Sequence, residues 1–241
     1  MNSDSLAALK QLRFFVTPGH PCSYLDHQEA TTLFADPHAD IDTAVYSALS
    51  ASGFRRSGAH IYRPHCQTCQ ACVPVRVRVA ESKLNRRQRR VRQRNQDLSI
   101  CVEPPQMTDE YFDLFSRYIA QRHGDGDMFP ADPEQFRSFL VDGRREARFV
   151  EFRLNQRLLA VAVIDVLDNA LSAVYTFFDP KDDQRSLGTF AVLWLIEEAC
   201  RQEKSWLYLG YWIKECQKMS YKIDYQPIEL YLDNGWITSP P

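Results

Sequence analysis

The sequence predicts a mixed α/β protein of the α+β type, with a mixed β-sheet and packed helices in its C-terminal half. Three apolar stretches there, Ala147–Leu154, Leu158–Val166 and Leu171–Phe178, are joined by connections short enough for antiparallel hairpins. A long amphipathic helix pattern, Leu187–Gln202, and a short apolar strand, Trp206–Leu209, follow them. Strands and helices in this order predict a mixed sheet with helices on its faces.

The N-terminal half is predicted to be a smaller α+β domain that ends near Pro104-Pro105. We therefore divide the chain into residues 1–104 and 105–241. The predicted elements of the first part are a helix at Asp26–Ala35, a helix capped by Asp40 or Asp42 that stops at Gly53, and strands at His60–Arg63, Val73–Val79 and Ser99–Val102. In Val73–Val79, valines alternate with arginines, which is typical of a half-buried strand.

Two helices precede the C-terminal strands, and a short helix and a last strand follow them. Thr108 caps a helix that runs to about His123, and Asp132-Pro133 opens the next one, with proline at its first position. After the short apolar strand come a helix near Glu215–Tyr221 and a strand at Ile228–Leu232. The second half therefore runs α-α-β-β-β-α-β-α-β.

Composition and charge are those of an ordinary globular protein and exclude a polycation or a membrane-spanning chain. The formal net charge is −2, and the longest apolar runs, Leu158–Ile164 and Phe190–Ile196, are too short to cross a bilayer. The first ten residues include Asp4 and no apolar run, so we expect no signal peptide and a cytoplasmic location. Thiols stay reduced in the cytoplasm, so the seven cysteines are not expected to form a disulfide framework.

A basic run at Lys83–Arg94 is the clearest charge signal, with seven positive charges in twelve residues and almost no apolar face. Like charges four residues apart repel along a helix, and a phosphate backbone neutralises them with release of counterions. We interpret the run as a binding surface for the backbone and shape of a folded RNA, although a solvated helix or a disordered linker is the alternative. The predicted RNA-binding residues, which include two from the neighbouring strand, are Arg76, Arg78, Arg86, Arg87, Arg89, Arg90, Arg92 and Arg94.

A cysteine knuckle with the sequence HCQTCQAC occupies His65–Cys72. Thiolates at C-x-x-C-x-x-C spacing can converge on one metal ion or cluster, and Cys22 or His65 could complete a set of four ligands. The candidate ligands of zinc or of an iron–sulfur cluster are therefore Cys22, Cys66, Cys69 and Cys72. The alternative is a reduced structural turn, since no second C-x-x-C pair is present.

Polar groups gather at two strand ends in the C-terminal half. The segment Gln184–Thr189 opens the long helix, whose free N–H groups could hold an anion, although Ser186 could equally be a plain helix cap. Between Tyr208 and Lys222, aromatic and basic side chains form a mixture that suits stacking on a base and contact with phosphate. No Ser-His-Asp or Cys-His signature is present, so positioning of two substrates fits better than covalent catalysis.

Long motifs along most of the chain resemble those of the tRNA-dependent aminoacyl-protein transferases, a family that includes arginyl-tRNA–protein transferases. They are PCSYL at Pro21–Leu25, GFRRSGAHIYRPHCQTCQACVPVRV at Gly53–Val77, SKLNRRQRR at Ser82–Arg90, FFDP at Phe177–Pro180, SLGTF at Ser186–Phe190, YLGYWI at Tyr208–Ile213 and KMSYKIDYQPIEL at Lys218–Leu230. Length and knuckle are most similar to a bacterial branch that moves leucine from leucyl-tRNA to proteins with N-terminal Asp or Glu, a step of N-degron protein degradation. The resemblance implies that the C-terminal half has the fold of GNAT-type acetyltransferases.

The reaction implied by this resemblance sets the candidate site. The protein must align an aminoacyl ester with the acceptor's α-amine, stabilise the oxyanion and assist proton transfer. We expect Tyr175, Asp179 and Tyr211 to be the catalytic proton or hydrogen-bond partners. The candidates for holding the aminoacyl end or the acceptor are Arg55, Arg56, Tyr208, Gly210, Trp212, Lys218, Tyr221 and Lys222. Among these, the cations that could bind the acceptor's acidic side chain are Arg55, Arg56, Lys218 and Lys222.

Three alternatives stay open from the sequence alone. The donor could be arginyl-tRNA with the same acceptors, or the chain could be a tRNA-binding protein without catalysis. A coenzyme A-dependent acetyltransferase is the third, but Arg185-x-x-Gly188 is followed by Thr189-Phe190 rather than by a small last residue, which argues against that cofactor. The expected reaction requires no cofactor. Its expected partners are an aminoacyl-tRNA, leucyl-tRNA above all, and proteins with N-terminal Asp or Glu.

Overall fold

The computed structural model describes residues 7, 9–124, 126 and 128–238 of the chain. Its main helices are α1 (Thr43–Ala51), α2 (Arg86–Arg94), α3 (Asp109–Arg122), α4 (Pro133–Phe136), α5 (Leu187–Arg201) and α6 (Gln217–Ser220). Its strands are β1 (Phe14–Val16), β2 (His20–Pro21), β3 (Glu29–Ala30), β4 (Thr32–Ala35), β5 (Arg55–Ser57), β6 (His60–Pro64), β7 (Val73–Arg78), β8 (Ser99–Glu103), β9 (Ala147–Leu154), β10 (Arg157–Val166), β11 (Ala170–Phe178), β12 (Trp206–Trp212), β13 (Ile228–Leu232) and β14 (Gly235–Thr238).

Local capping chemistry decides where several helices begin. The Asp42 carboxylate accepts a hydrogen bond from the Val45 backbone N–H at the start of α1, and Thr108 caps α3 in the same way. Both caps confirm the prediction from sequence. Ser186 differs, because it lies in the left-handed region (φ 52°) before α5 and its side chain makes no capping hydrogen bond. The prediction of a plain serine cap there is therefore wrong.

The strands of the C-terminal half form one large mixed sheet with two strands from the N-terminal half. Within the described residues the order of this sheet is β14-β13-β7-β12-β11-β10-β9-β8. β9, β10 and β11 are consecutive antiparallel neighbours, which confirms the predicted hairpins. β11 and β12 are parallel and are connected through α5, an order that agrees with the GNAT-type arrangement expected from the resemblance.

β11 and β12 separate after a short paired stretch. They pair only over Ala170–Ser172 and Trp206–Tyr208, although β11 continues to Phe178 and β12 to Trp212. β12 pairs with β7 from Trp206 to Trp212, with a register shift between Tyr208 and Gly210, so beyond Tyr208 it keeps β7 but no longer β11 as a partner. The two diverging strands therefore open a cleft in the middle of the sheet, which we call the strand cleft.

Helices cover both faces of the large sheet. On one face, α2 and α5 pack on strands β7 to β12 around Val75, Val77 and Leu207. On the other face, α3 and α4 pack on β9 to β11, while α1 packs against Tyr208 and Ala170. A second sheet, in the order β1-β4-β6-β5, lies in the N-terminal part, and its strand β5 also contacts β11. The predicted α+β class with a mixed sheet is confirmed.

The structure bears on two predictions about the N-terminal half, a helix and a domain boundary. The helix predicted at Asp26–Ala35 is wrong, because β3 and β4 occupy this segment and β4 pairs with β1 and β6. The domain division at residues 104 and 105 stays a prediction. A cut there would separate β7 and β8 from β12 and β9, their partners in the large sheet. No helix in the described ranges combines the length and apolar character needed to cross a membrane.

Candidate functional site

The strand cleft is bordered by a short segment of β12 whose backbone is bent by a glycine. Gly210 has φ +83°, a conformation that side chains other than glycine's rarely adopt. A methyl group added at Gly210 would meet the Lys222 Nζ atom at 3.6 Å and, apart from its chain neighbours, no other heavy atom within 4 Å. Open space therefore lies beside Gly210, and the Lys222 ammonium borders it.

Tyr211, the next residue of β12, connects the large sheet to the N-terminal part of the chain. Its hydroxyl donates toward the backbone carbonyls of Gly53 (3.1 Å) and Tyr62 (3.3 Å). Burial raises the pKa of Tyr211 well above its ordinary value, so the phenol stays protonated. The predicted catalytic residue Tyr211 thus holds two parts of the fold together, and its hydroxyl is already engaged by main-chain oxygens. A cavity of about 280 Å³ lies beside Tyr211 and Cys72.

Lys222 and Arg55 are two buried cations behind this strand end. The Lys222 ammonium donates to the backbone carbonyl of Tyr211 at 2.7 Å and contacts the Met219 sulfur at 3.3 Å. Burial and the nearby charge of Arg55 lower the pKa of Lys222 to about 7. The Arg55 guanidinium lies over the Tyr208 ring, 4.7 Å from its centroid, and burial lowers its pKa. Both residues were predicted site residues, and the structure brings them together.

Arg56, the next predicted acceptor-binding cation, is already paired with a carboxylate. Its guanidinium meets Asp165 at 2.7 Å, and both side chains are fully buried. The Tyr46 hydroxyl donates to the same carboxylate at 2.6 Å. Charge and hydrogen bonding from Asp165 raise the pKa of Arg56 despite its burial. Because its charge is already paired within the fold, Arg56 is the weakest of the four candidate cations for an acidic ligand, and its role stays a prediction.

Tyr175 lies within the second half of β11 and Asp179 directly after its end, and neither is placed as an open proton acceptor. The Tyr175 ring packs among Phe115, Tyr118 and Phe139, and burial raises the pKa of its phenol. Asp179 pairs with Arg117 at 2.6 Å and caps the turn that follows β11. Burial alone would raise the pKa of Asp179, but hydrogen bonds from Arg117 and the Lys181 backbone outweigh it, and the pKa is lowered.

These positions leave the catalytic roles of Tyr175 and Asp179 as predictions. Arg117, which fixes the Asp179 carboxylate, had no signal in the sequence because the two residues lie 62 positions apart.

Three further candidates lie around the turn that carries Lys222. The Trp212 indole donates to the Ser220 carbonyl at 3.2 Å and so attaches α6 to β12. Tyr221 is 45 % exposed and stacks edge-on against Tyr225, while Lys218 lies at the surface on α6. Trp212 therefore supports the turn that carries Lys222. The Tyr221 ring is exposed, so a ligand can reach it.

The predicted RNA-binding helix α2 is confirmed as a helix and begins at an Asn85–Gln88 capping box. Its last turn is occupied by protein contacts: Arg92 pairs with Glu197 at 2.9 Å, and Arg94 donates to the Gln184 carbonyl. Its first turns are more open, with Arg86 and Arg90 free of protein partners among the described residues. Arg89 donates only to the Leu84 carbonyl, and Arg87 lies 4.0 Å from Asp224.

Arg76 and Arg78, the two predicted RNA-binding residues of β7, are both ion-paired. Glu229, on the adjacent strand β13, accepts from Arg76 at 2.7 Å and from Arg78 at 2.5 Å. The Arg76 guanidinium also lies between the Trp206 and Trp236 rings, at 3.6 and 4.2 Å. Strand pairing thus brings a carboxylate opposite both arginines, and the prediction of an exposed strand face does not hold for Arg76, whose side chain is 12% exposed. RNA binding by the two residues stays a prediction.

The cysteine knuckle lies close to the strand end without forming a ligand set. Among the described residues, no group of three His, Cys, Asp or Glu side chains is arranged to hold a metal ion. Burial and four neighbouring thiols (Cys22, Cys66, Cys69 and Cys216) raise the pKa of Cys72 to about 12. Binding of a metal or cluster by Cys22, Cys66, Cys69 and Cys72 stays a prediction. Cys216 is a neighbour that the knuckle spacing could not indicate.

Comparison with known proteins identifies the family. The model for the N terminus of arginine-tRNA-protein transferase matches residues 20–90, and the model for its C terminus matches residues 110–232. An aspartate/glutamate leucyltransferase of Pseudomonas fluorescens (strain SBW25) is 54% identical over 233 residues, covering 97% of this chain and 99% of that protein. The protein of the same name from Pseudomonas aeruginosa (strain LESB58) is 53% identical over 232 residues, covering 96% and 99%.

Likeness to solved structures is more distant. The structure of L-PGS from Bacillus licheniformis aligns with a TM-score of 0.46 and 12% identity, covering 86% of this chain and 70% of that chain. This likeness is too low to bear on function. The family models and the near full-length identity show that the chain belongs to the arginine-tRNA-protein transferase family.

Proposed function

We propose that this protein transfers leucine from leucyl-tRNA to the N-terminal Asp or Glu of acceptor proteins. The observation that carries the proposal is the identity of more than half of the residues, over almost the whole chain, with relatives named aspartate/glutamate leucyltransferase. The strand cleft and the open arginines of α2 supply the two kinds of surface that such a reaction needs. We place the reaction in the cytoplasm, where aminoacyl-tRNA is made and used.

The chemistry needs alignment more than activation, because the aminoacyl ester of tRNA is already reactive. The neutral α-amine of the acceptor attacks the ester carbonyl, a C–N bond forms, and the C–O bond to the terminal ribose breaks. The amine loses a proton and the ribose oxygen gains one, so no oxidant, reductant or metal is consumed. Holding both reactants in a fixed cleft can by itself contribute a large part of the rate enhancement.

The structure supports a division of labour between the cleft and α2. The diverging ends of β11 and β12 can receive the aminoacyl end, with the bent backbone at Gly210 as one wall. Arg86, Arg87, Arg89 and Arg90 can bind phosphates of the tRNA body, since their guanidinium groups are exposed. The two surfaces are separate, so α2 would bind the tRNA body while the reacting ester lies in the strand cleft.

The test is transfer of labelled leucine, and separately of labelled arginine, from charged tRNA to peptides that begin with Asp, Glu, Lys or Ala. We expect leucine on the Asp and Glu peptides only. Arginine transfer to the same peptides would keep the family and correct the donor. Binding of tRNA without transfer of either amino acid would contradict the enzyme and favour a non-catalytic tRNA-binding protein.

A further inference from the structure

Arg55 is a buried cation whose charge has no carboxylate beside it in the described part of the chain. It is 6% exposed, and its Nη1 donates to the carbonyls of Phe54 (2.6 Å) and Ser50 (3.3 Å). Its Nη2 donates to the Val75 carbonyl at 3.5 Å, and its Nε, like Nη2 of the ion-paired Arg56, is buried without a hydrogen-bond partner among the described residues. A fold rarely leaves a buried donor of a charged group unsatisfied, because the desolvation of that group is not recovered.

Lys222 adds a second buried cation next to the first. It is 6% exposed, and a backbone carbonyl and a thioether sulfur, from Tyr211 and Met219, are its hydrogen-bond partners. An ammonium group has three donors, and the sulfur is a weak acceptor, so donor capacity remains for a ligand. Two like charges buried near each other without a carboxylate of the described residues beside them destabilise this region, and an anion bound between them would offset both charges.

The backbone at Gly210 leaves open space next to the Lys222 ammonium. The position beside Gly210 is open apart from the Lys222 Nζ atom at 3.6 Å. Gly210 is the first residue of β12 after the register shift, where β12 has already left β11. A small anion in this space would contact the Lys222 ammonium, and Arg55 is close enough for its charge to help lower the pKa of the same ammonium.

We propose that Arg55 and Lys222 bind the side-chain carboxylate of the acceptor's N-terminal Asp or Glu, in the open space beside Gly210. This inference rests on the function proposed above. In Asp and Glu the carboxylate is separated from the α-carbon by only one or two methylene groups. The cation that recognises it must therefore lie close to the reacting amine, at the cleft, and not on an outer surface.

The observations favour a carboxylate over a phosphate of the tRNA. The aminoacylated ribose of the terminal nucleotide has its nearest phosphate on the 5′ side, away from the ester. Exposed arginines for phosphates are present on α2, whereas Arg55 and Lys222 are buried and border a small space. Arg56 is disfavoured by its ion pair with Asp165, so the stronger candidates of the four cations considered from the sequence are this buried pair and Lys218 at the surface.

The test measures leucine transfer to matched peptides that begin with Glu or Gln, and with Asp or Asn. For wild type we expect a strong preference for the acids in kcat/KM. Lys222→Met should reduce that preference about 10- to 100-fold, chiefly through a higher KM for the acidic peptides, because a hydrogen bond to a charged group is lost. Lys222→Arg, which keeps the charge, should retain most of the preference.

Lys204→Met is the matched control. Like Lys222, Lys204 donates from its ammonium to the backbone, here to the carbonyls of Leu167 (2.9 Å) and Asp168 (3.0 Å), but it lies at the opposite end of β11 and β12. We expect the wild-type acid preference in this variant. Arg55→Met should reduce the preference as Lys222→Met does, which keeps the test decisive if one of the two variants does not fold. Circular dichroism and thermal unfolding establish which variants are folded.

Three results would overturn the inference while leaving the proposed function intact. One is an unchanged preference for acids in folded Lys222→Met and Arg55→Met. Another is an equal loss of kcat on acidic and amide peptides, which would make Lys222 a proton acceptor instead. The third is weaker tRNA binding at an unchanged acid preference, which would assign the pair to phosphate. A wild-type chain that modifies no acidic peptide would contradict the proposed function, and the inference with it.

Discussion

Arg55 and Arg56 are neighbours in sequence and are equally buried, at 6% and 5% exposure, but the groups around their charges differ. Arg56 has the Asp165 carboxylate at 2.7 Å, whereas Arg55 has carbonyls, a tyrosine ring and a second cation, Lys222. A buried charge needs a partner to offset its desolvation. Arg56 has that partner within the fold, so it is structural, while Arg55 and Lys222 can receive theirs from a substrate.

The same contrast between a paired and an unpaired arginine is found among exposed residues. Arg92 is exposed and paired with Glu197, and Arg86 is exposed and unpaired among the residues described. Water already solvates these groups, so pairing changes little there. Burial and pairing can therefore be separated experimentally, with four kinds of arginine or lysine site in one chain.

The largest effect on stability is expected where a buried pair is broken. Asp165→Asn removes the charge that faces Arg56 and weakens the acceptor of the Tyr46 hydroxyl. We expect the free energy of unfolding to fall by about 3 to 5 kcal/mol, measured as a lower urea midpoint at constant slope. Adding Arg56→Met to Asp165→Asn should recover much of the loss, since the orphaned charge is then absent. A loss below about 1 kcal/mol in the single variant would contradict the structural role of the pair.

A smaller, pH-dependent effect on stability is expected from Lys222, which is buried and has no carboxylate partner among the described residues. The folded-state pKa of Lys222 is about 7 against an ordinary value of 10.5, so between these values the unfolded chain binds more protons than the folded chain. Wild-type stability should therefore rise with pH in this window, by at most about 1.4 kcal/mol per pH unit from this group. In Lys222→Met this contribution is lost.

The check is urea unfolding of wild type and Lys222→Met at several pH values between 6 and 10. The variant should have its greatest stability relative to wild type at or below pH 7, and this advantage should shrink as the pH approaches 10.5. A stability difference that stays constant across the range would show that Lys222 does not bear an uncompensated charge in the folded protein.

An ion pair that is exposed to water should contribute less to the free energy of unfolding than either buried group. A double-mutant cycle with Arg92→Ala and Glu197→Ala should give a coupling of about 0.2 to 1 kcal/mol, because both groups are more than 40% exposed and water competes for them. Added salt should lower the coupling further. A coupling as large as that expected for the Arg56–Asp165 pair would mean that exposure does not separate the two cases.

No change in stability is expected where a charge is neither buried nor paired, but RNA binding should change. The double variant Arg86→Gln and Arg90→Gln should unfold like wild type, while the affinity for tRNA falls. The slope of log K against log salt concentration should decrease by about 0.7 to 0.9 for each lost phosphate contact. Arg201→Gln is the control, because Arg201 is exposed on α5 and already paired with Glu198. Equal slopes for wild type and the double variant would remove α2 from the tRNA-binding surface.

Much of the fold could be predicted from the sequence because its signals are local. The alternation of valines in β7, the hairpin spacing of β9 to β11 and the caps Asp42 and Thr108 each depend on residues close in sequence. The prediction of a helix at Asp26–Ala35 was wrong because β4, within this segment, is stabilised by pairing with strands that are distant in sequence. The capping box at Asn85 and Gln88 carries a local signal as well, and sequence reasoning could have found it.

What the sequence alone determined was the class of fold, the family motifs and the set of cations near the strand end. Only the tertiary structure decided which cations are free, because Asp165 lies 109 positions from Arg56 and Glu229 lies 153 positions from Arg76. A charge is visible in a sequence, but its partner is set by which strands and helices pack together. The choice of Arg55 and Lys222 as the pair available to an acidic ligand therefore follows from packing, since burial and counter-ions are properties of the folded chain.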